Sequence, residues 1–439
     1  MIKNDKKVIR AWTFYDWANS VFPLVITSAI FPNFYEYKTS HDETGKDIGD
    51  VVNFLGFNFH NQDVYSYVYA FALLIVVLSV PILSGIADYY GNKKRFLQFF
   101  CYLGATSCMC LYFFDRLHLE LSFIPFVTAT IGFWGSLVYY NSYLPEIADT
   151  ADQDRVSAKG FAMGYLGSSL LLILCLVGII VFKMPAKFAF FGVGIWWMGF
   201  AQYPFMVLPS PQAKVRKDDK KGIISHGFKE IRNVFADIRT RLELRRFLTS
   251  YFFYNMGVQT IMVMAVIFAR KEIEWGVGPE TEKIKTNSLI ISILLIQFVG
   301  IAGSFLFSFI SRKIGNIRAL MIAIFIWICI CIFTYSVAHY PIHFYIIAAS
   351  VGLVMGGVQA LSRSTYSKLL PVTDDNASYF SFFDVMEKTG MILGTVSFGL
   401  ISQFNGGMRN SVLALTAFFI IGFLLLLRVP SNKKITSVE

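Results

Sequence analysis

Long apolar stretches, separated by short segments rich in charge, glycine and proline, set the pattern of the whole chain. Twelve of them are marked out, at 11–36, 63–87, 95–114, 119–144, 158–182, 187–208, 246–270, 286–311, 318–339, 341–369, 378–403 and 409–429. A hydrocarbon core of about 30 Å is crossed by about 20 helical residues, so each stretch is long enough to span. The pattern predicts an all-α integral membrane protein of twelve transmembrane helices. Within the link at 209–245, Ile224, Phe228, Ile231, Phe235, Ile238 and Leu242 recur at steps of four and three between charges. This spacing predicts an amphipathic helix at the membrane surface, a strap between two halves.

The halves echo one another. The turn SGIADYYGNKKR (Ser84 to Arg95) between the second and third spans returns 224 residues later as SFISRKIGNIR, with Ser84, Gly91, Asn92 and Lys94 falling on Ser308, Gly315, Asn316 and Arg318. Tyr140 and Leu144-Pro145 fall on Tyr366 and Leu370-Pro371, and Phe14-Tyr15-Asp16 on Phe253-Tyr254-Asn255. The expected organisation is two six-helix pseudo-repeats, 1–208 and 246–439, joined by the linker 209–245. In such a repeat a solute site forms midway between the halves. Glycine pairs at four-residue spacing (Gly160 and Gly164, Gly352 and Gly356, Gly390 and Gly394) predict close helix packing.

Composition agrees: 55% of the residues are hydrophobic and only 15% charged, against about 25% charged in soluble domains. The net charge of +10 does not indicate nucleic acid, because its placement follows the membrane. Of 39 lysines and arginines, 27 fall on the side carrying both termini and 10 on the other. The surplus places both termini in the cytoplasm, in the cytoplasmic (inner) membrane of a cell. The six cysteines show no paired extracellular spacing and read as small apolar side chains. The basic start followed by an apolar stretch imitates a secretory signal, but it is too long and holds Asp16, so it reads as the first helix. The outside loop at 37–62 offers no chemistry of its own.

Ionisable groups inside a span are costly and usually face a cavity or a partner. Well inside the spans the chain carries Asp16, Arg363, Asp384, Glu387 and Lys388. At 1.5 Å per residue Asp16 and Arg363 lie about 8 Å from the cytoplasmic boundary, and Glu387 and Lys388 about 14 Å. Asp384 and Lys388 stand at i and i+4 with the acid first, the favourable order for a pair. Three acids face two bases, so either Asp16 or Glu387 is left as a candidate proton carrier. The alternative is that all five form a static gate or fix helix register. Tyr15, Asn19, Asn255, Gln259 and Gln359, with Arg363, add hydrogen-bonding groups suited to a small polar solute, or equally to gluing helices together.

The first turn resembles the loop signature of the major facilitator superfamily, Gly-x-x-x-Asp-x-x-Gly-x-[Arg/Lys]. Asp88, Gly91 and Lys93 match, while Ser84 stands at the leading glycine with Gly85 one place later. The stretches AWTFYDWANSVFPLVITSAIFP (Ala11 to Pro32), YLPEIAD (Tyr143 to Asp149), RVSAKGFAMGYLGSSL (Arg155 to Leu170), YNMGVQT (Tyr254 to Thr260) and GGVQALSRSTYSKLLP (Gly356 to Pro371) are similar to the vacuole-effluxer branch of that superfamily, the bacterial relatives of the autophagy-related amino-acid permease of the fungal vacuole. The resemblance implies the major facilitator fold and efflux of amino acids or a like solute by alternating access; protons as a candidate coupling ion follow from the uncompensated carboxylate. It implies that the first, fourth, seventh and tenth helices line the passage, and that Ser84, Gly85, Asp88, Gly91, Lys93 and Lys94 form a gating loop. Asp88 would dock on the partial positive charge at the start of the eleventh helix near Ser378.

The expected partners are a small-molecule solute, protons and the lipid bilayer, with a monomer as the unit and no cofactor or metal. The six histidines (His41, His60, His118, His226, His339 and His343) all fall in loops or at span ends, and no metal spacing, phosphate loop or nucleophile set suggests an enzyme. The other reading is a transporter-shaped sensor or assembly factor that moves nothing.

Overall fold

The computed structural model describes residues 3–42, 44–210, 223–276, 278, 280–404 and 407–430; the lysine and aspartate run of the linker, 214–221, lies outside them. The chain begins with α1 (Lys6–Asn19), a π-helical segment (Phe22–Ile30) and α2 (Phe31–Ser40), followed by the antiparallel hairpin β1 (Val51–Phe54) and β2 (Phe57–His60). Then come α3 (Asn61–Tyr90), α4 (Lys93–Cys110), α5 (Leu119–Asn141), the short α6 (Leu144–Ile147), α7 (Gln153–Ile180) and α8 (Lys187–Val207). The amphipathic α9 (Ile223–Thr240) leads to α10 (Leu242–Glu272), α11 (Thr281–Ile314), α12 (Asn316–Val337), α13 (Pro341–Leu369), α14 (Asn376–Phe404) and α15 (Met408–Leu426).

Among the described residues nine helices are long and apolar enough to cross a membrane: α3, α4, α5, α7, α10, α11, α12, α13 and α15. The other three expected spans are helical too, and each departs for a local reason. The first is broken at Pro23, which lacks the N–H a regular turn requires; its carbonyl instead accepts the hydroxyls of Thr27 and Ser28 at 2.7 and 2.8 Å, and the chain runs in π register. The sixth, α8, spends much of its length on glycine, Trp196, Trp197 and Pro204. The eleventh, α14, carries Asp384, Glu387 and Lys388.

The described residues fall into two compact units. One comprises those of Lys6–Tyr143 and Leu166–Ile231; the other comprises those of Met1–Asp5, Leu144–Tyr165 and Arg232–Glu439, so that α7 is shared. In the second unit α11 and α13 meet backbone to backbone. A methyl at Gly303 would fall 2.0 Å from the Leu353 carbonyl, and one at Gly356 2.3 Å from the Gly300 carbonyl. Small residues permit this approach where lipid offers no hydrophobic drive. Gly303→Ala is therefore expected to cost about 1–3 kcal/mol, read as a lowered Tm of the detergent-solubilised protein. Gly399→Ala, where nothing lies within 4 Å, is the control and should leave Tm level or slightly raised. In the first unit Gly132 lies equally close to Gly104, joining α5 to α4.

Candidate functional site

The second unit holds the charges of the eleventh expected span. The spacing of Asp384, Glu387 and Lys388 puts all three on one side of α14. Lys388 Nζ lies 2.5 Å from Asp384 and 3.7 Å from Glu387, and the lysine and Asp384 are buried. The pairing expected from i, i+4 spacing is thus present, and the one ammonium is shared between two carboxylates. Facing them, α10 presents Tyr251, Asn255 and Gln259 at four-residue steps. Tyr251 donates to Glu387 at 3.2 Å, and Gln259 Nε2 donates to Glu387 at 3.1 Å and to Asn255 Oδ1 at 3.4 Å. The amide nitrogen of Asn255, itself buried, has no hydrogen-bond partner among the described residues. A buried donor left in this way costs about 1–3 kcal/mol, so this is a place where a solute acceptor would be stabilising.

In the same unit α13 meets the start of α7. Arg363, 3% exposed, donates through Nε to Ser157 Oγ and through Nη2 to the Ser157 carbonyl, both at 2.9 Å, and its guanidinium lies over the Phe161 ring at 4.2 Å. Tyr165 donates to Gln359 at 2.7 Å, one turn further along. Tyr254 and Ser362 share a 2.7 Å hydrogen bond between α10 and α13.

Sequence reasoning missed a neighbouring network. Asp154, 2% exposed, pairs with Lys368 Nζ at 2.7 Å and accepts from Asn316 Nδ2 at 2.7 Å and Ser311 Oγ at 2.9 Å. Asn316 also bonds Thr365 at 3.0 Å and accepts from Lys368 at 3.1 Å. The signal was present in the repeat: Asn316 is the echo of Asn92, and the repeat marks the turn where α11 ends and α12 begins.

The remaining pathway residues belong to the first unit. Asp16 accepts a 2.6 Å hydrogen bond from Tyr140, whose ring stacks on Trp12 at 4.5 Å and packs against Tyr15 at 5.1 Å. Tyr15 and Asn19 are buried, and the Asn19 amide nitrogen has no partner among the described residues. In the loop after α3, Gly91 closes the helix at φ +64°, a conformation glycine adopts at no steric penalty, and the Asn92 N–H returns to the Ala87 carbonyl at 2.9 Å. Asp88 and Lys93 are buried, Lys93 over the Tyr143 ring at 4.1 Å, and Lys94 donates to the Leu208 carbonyl at 2.7 Å. Ser84 donates to the Pro81 carbonyl at 2.7 Å. The displaced glycine of the signature has a packing role: a methyl at Gly85 would meet the Gly227 carbonyl at 2.7 Å, so α9 crosses α3 glycine on glycine. Among the described residues no group of three His, Cys, Asp or Glu side chains is placed to hold a metal ion.

Comparison with known proteins bears on the family and the fold. The family model described as "Vacuole effluxer Atg22 like" matches residues 4–439. The chain is 30% identical to the uncharacterized MFS-type transporter YxiO of Bacillus subtilis (strain 168), over 98% of this chain and 97% of that one. It is 22% identical to autophagy-related protein 22 of Yarrowia lipolytica, over 88% and 78% of the two chains. In structure it is similar to the human organic anion transporter MFSD10, with a TM-score of 0.74 at 12% identity over 97% of this chain and all of that one; that likeness speaks for the fold. Spanning helices, a charged cluster buried among them and end-to-end matches converge: the chain belongs to the vacuole effluxer Atg22-like family, multi-pass membrane transporters of the major facilitator fold.

Proposed function

We propose that this transporter exports small polar solutes, amino acids first among them, by alternating access and in exchange for a proton. The feature that carries the proposal is the α10 and α14 cluster: one ammonium, two carboxylates and two amides supply both signs of charge and neutral hydrogen-bonding groups, the set a zwitterion needs. The amine of the solute is assigned to Glu387, its carboxylate to Arg363, and its polar remainder to Asn255, Gln259 and Gln359. With all three groups ionised, Asp384, Glu387 and Lys388 sum to one negative charge, which uptake of one proton would neutralise. Glu387, the least buried of the three, is the assigned proton carrier. Tyr15, Asp16 and Asn19 are assigned to the pathway of the first half, and the Ser84 to Lys94 turn to gating.

The rocking halves are 1–208 and 246–439, with 209–245 as their cytoplasmic strap. The protein works as a monomer in the cytoplasmic membrane with both termini inside, carries out no covalent chemistry and needs no cofactor. The test is flux of labelled amino acids in proteoliposomes with and without a pH gradient. Glu387→Gln, whose amide oxygen still accepts from the solute amine, is expected to abolish gradient-driven movement while solute counterflow persists at a raised half-saturating concentration. Gradient-driven flux unchanged by that substitution would remove Glu387 from the coupling. No flux of amino acids, nucleosides or sugars, and no stabilisation by any of them in a thermal-shift panel, would favour a sensor over a carrier.

A further inference from the structure

We propose that the hairpin β1–β2 is a lipid-inserting finger, whose apolar tip, Leu55 and Phe57, enters the interfacial layer of the leaflet at its own end of α3 and α5. This rests on the multi-pass membrane fold and not on the solute assignment. The register pairs Val52 with Phe59, Asn53 with Asn58 and Phe54 with Phe57. Because side chains alternate along a strand, Val52, Phe54, Phe57 and Phe59 share one face, while Val51, Asn53, Asn58 and His60 share the other. The polar face is tied by Asn53 Nδ2 donating to Asn58 at 3.3 Å and by His60 against Asp50 at 3.0 Å. An amphipathic hairpin of four-residue strands is marginal when left in water.

Two contacts set its position. Phe59 meets Tyr67 edge to face at 6.0 Å, and Phe54 meets Phe123 at 6.0 Å. Tyr67 lies six residues into α3, about 9 Å along the helix, so the apolar face folds back along the membrane-crossing bundle instead of pointing away from it. The tip is pinned at the first turn of α5, where Glu120 accepts the Leu55 N–H at 2.9 Å.

The tip itself is apolar where a water-facing turn would not be. Leu55 and Gly56 form a two-residue turn at φ +52° and +83°, a conformation that favours Asn, Asp or Gly at the first place and disfavours a bulky side chain. Leu55 and Phe57 are nonetheless each 68% exposed to anything outside the protein. Further apolar side chains lie exposed on the same two helices: Tyr67, Phe71, Leu74 and Leu78 along α3, and Leu117 and Leu121 around the start of α5, on either side of the exposed Glu120 that holds the tip. Those apolar side chains face lipid in a multi-pass protein. An aromatic and aliphatic tip at the level of helix ends is where interfacial anchors lie.

The experiment uses the full chain in lipid nanodiscs. With the six native cysteines replaced by serine, a nitroxide is attached at Phe57→Cys or, on the opposite face, at Asn58→Cys. The label at 57 is expected to collide several-fold more with oxygen, which concentrates in lipid, than with an aqueous nickel chelate, and the label at 58 to show the reverse. Equal access of the nickel chelate to both sites, or shielding of position 57 from both reagents, overturns the proposal. Should the serine background fail to fold, Phe57→Trp in the otherwise native chain replaces it. The emission added over the parent is then expected to lose more than half its intensity in nanodiscs of brominated lipid. Quenching by aqueous acrylamide with no effect of bromine again overturns the proposal.

Discussion

Lys388→Met is expected to lower stability by about 3–5 kcal/mol, a fall in Tm on the order of 10 °C, and to abolish transport. The ammonium is the cation at 2.5 Å from Asp384 and 3.7 Å from Glu387. Methionine fills its volume but leaves two carboxylates side by side in a buried setting. Burying an ion is tolerated when it is paired, and breaking one partner of a buried pair costs far more than the pair itself contributes. The double variant Asp384→Asn/Lys388→Met removes one of the stranded charges and should recover most of the loss, a coupling that a cycle of the two single variants and the double measures. The deficit of the single variant should also shrink as pH is lowered, because a protonated carboxyl needs no cation. A single variant within 1 kcal/mol of the wild type at neutral pH would mean that Lys388 is not held between the two acids.

How much of this could be read in advance differs from element to element. Nine of the twelve expected spans were legible as such, because lipid imposes one rule on every segment: about 20 apolar residues with all backbone groups paired within the helix. The Asp384 to Lys388 pair was legible for the same local reason, since i, i+4 geometry is fixed within one helix. The break at Pro23 was not, because proline tells that a turn is disturbed and not that the chain will run on in π register. Asp154 was missed because an acid in the first turn of a helix is ordinary, and its partners Ser311, Asn316 and Lys368 lie more than a hundred residues on. The amphipathic stripe of α9 was read as one apolar face. The structure divides it: of the stripe Ile238 is buried and Ile231 half-buried, Phe228, Phe235 and Leu242 are exposed, and the other buried positions are Gly227 and Val234, which the stripe leaves out. The residue that seats this helix is Gly227, which no hydrophobic pattern selects, because what it contributes is room for the α3 backbone. Likewise Ser84 for glycine looked like a lapse in the loop signature, until Gly85 proved to be the point where α9 crosses.

Asp154→Ala is expected to be nearly as damaging as Lys388→Met, by about 3–5 kcal/mol, although Asp154 touches none of the groups assigned to solute. Its carboxylate joins three elements at once: α7, on which it stands, α13 through Lys368, and the α11 to α12 turn through Ser311 and Asn316. Alanine leaves the Lys368 ammonium, only 10% exposed, without its carboxylate and strips both other donors of an acceptor. The double variant Asp154→Leu/Lys368→Met tests whether the charge or merely the volume matters. Replacing a buried pair by apolar residues of similar size is often neutral or stabilising, so its Tm should return to within a few degrees of the wild type. Its transport should not return to the wild-type pattern. If α7 has to part from α11 and α13 for the passage to open at that end, the ion pair is a catch released in each cycle, and an apolar patch is a different catch. A double variant restored in stability but altered in the ratio of inward to outward flux is the expected result; a single variant as stable as the wild type would show that the network is not formed in the membrane.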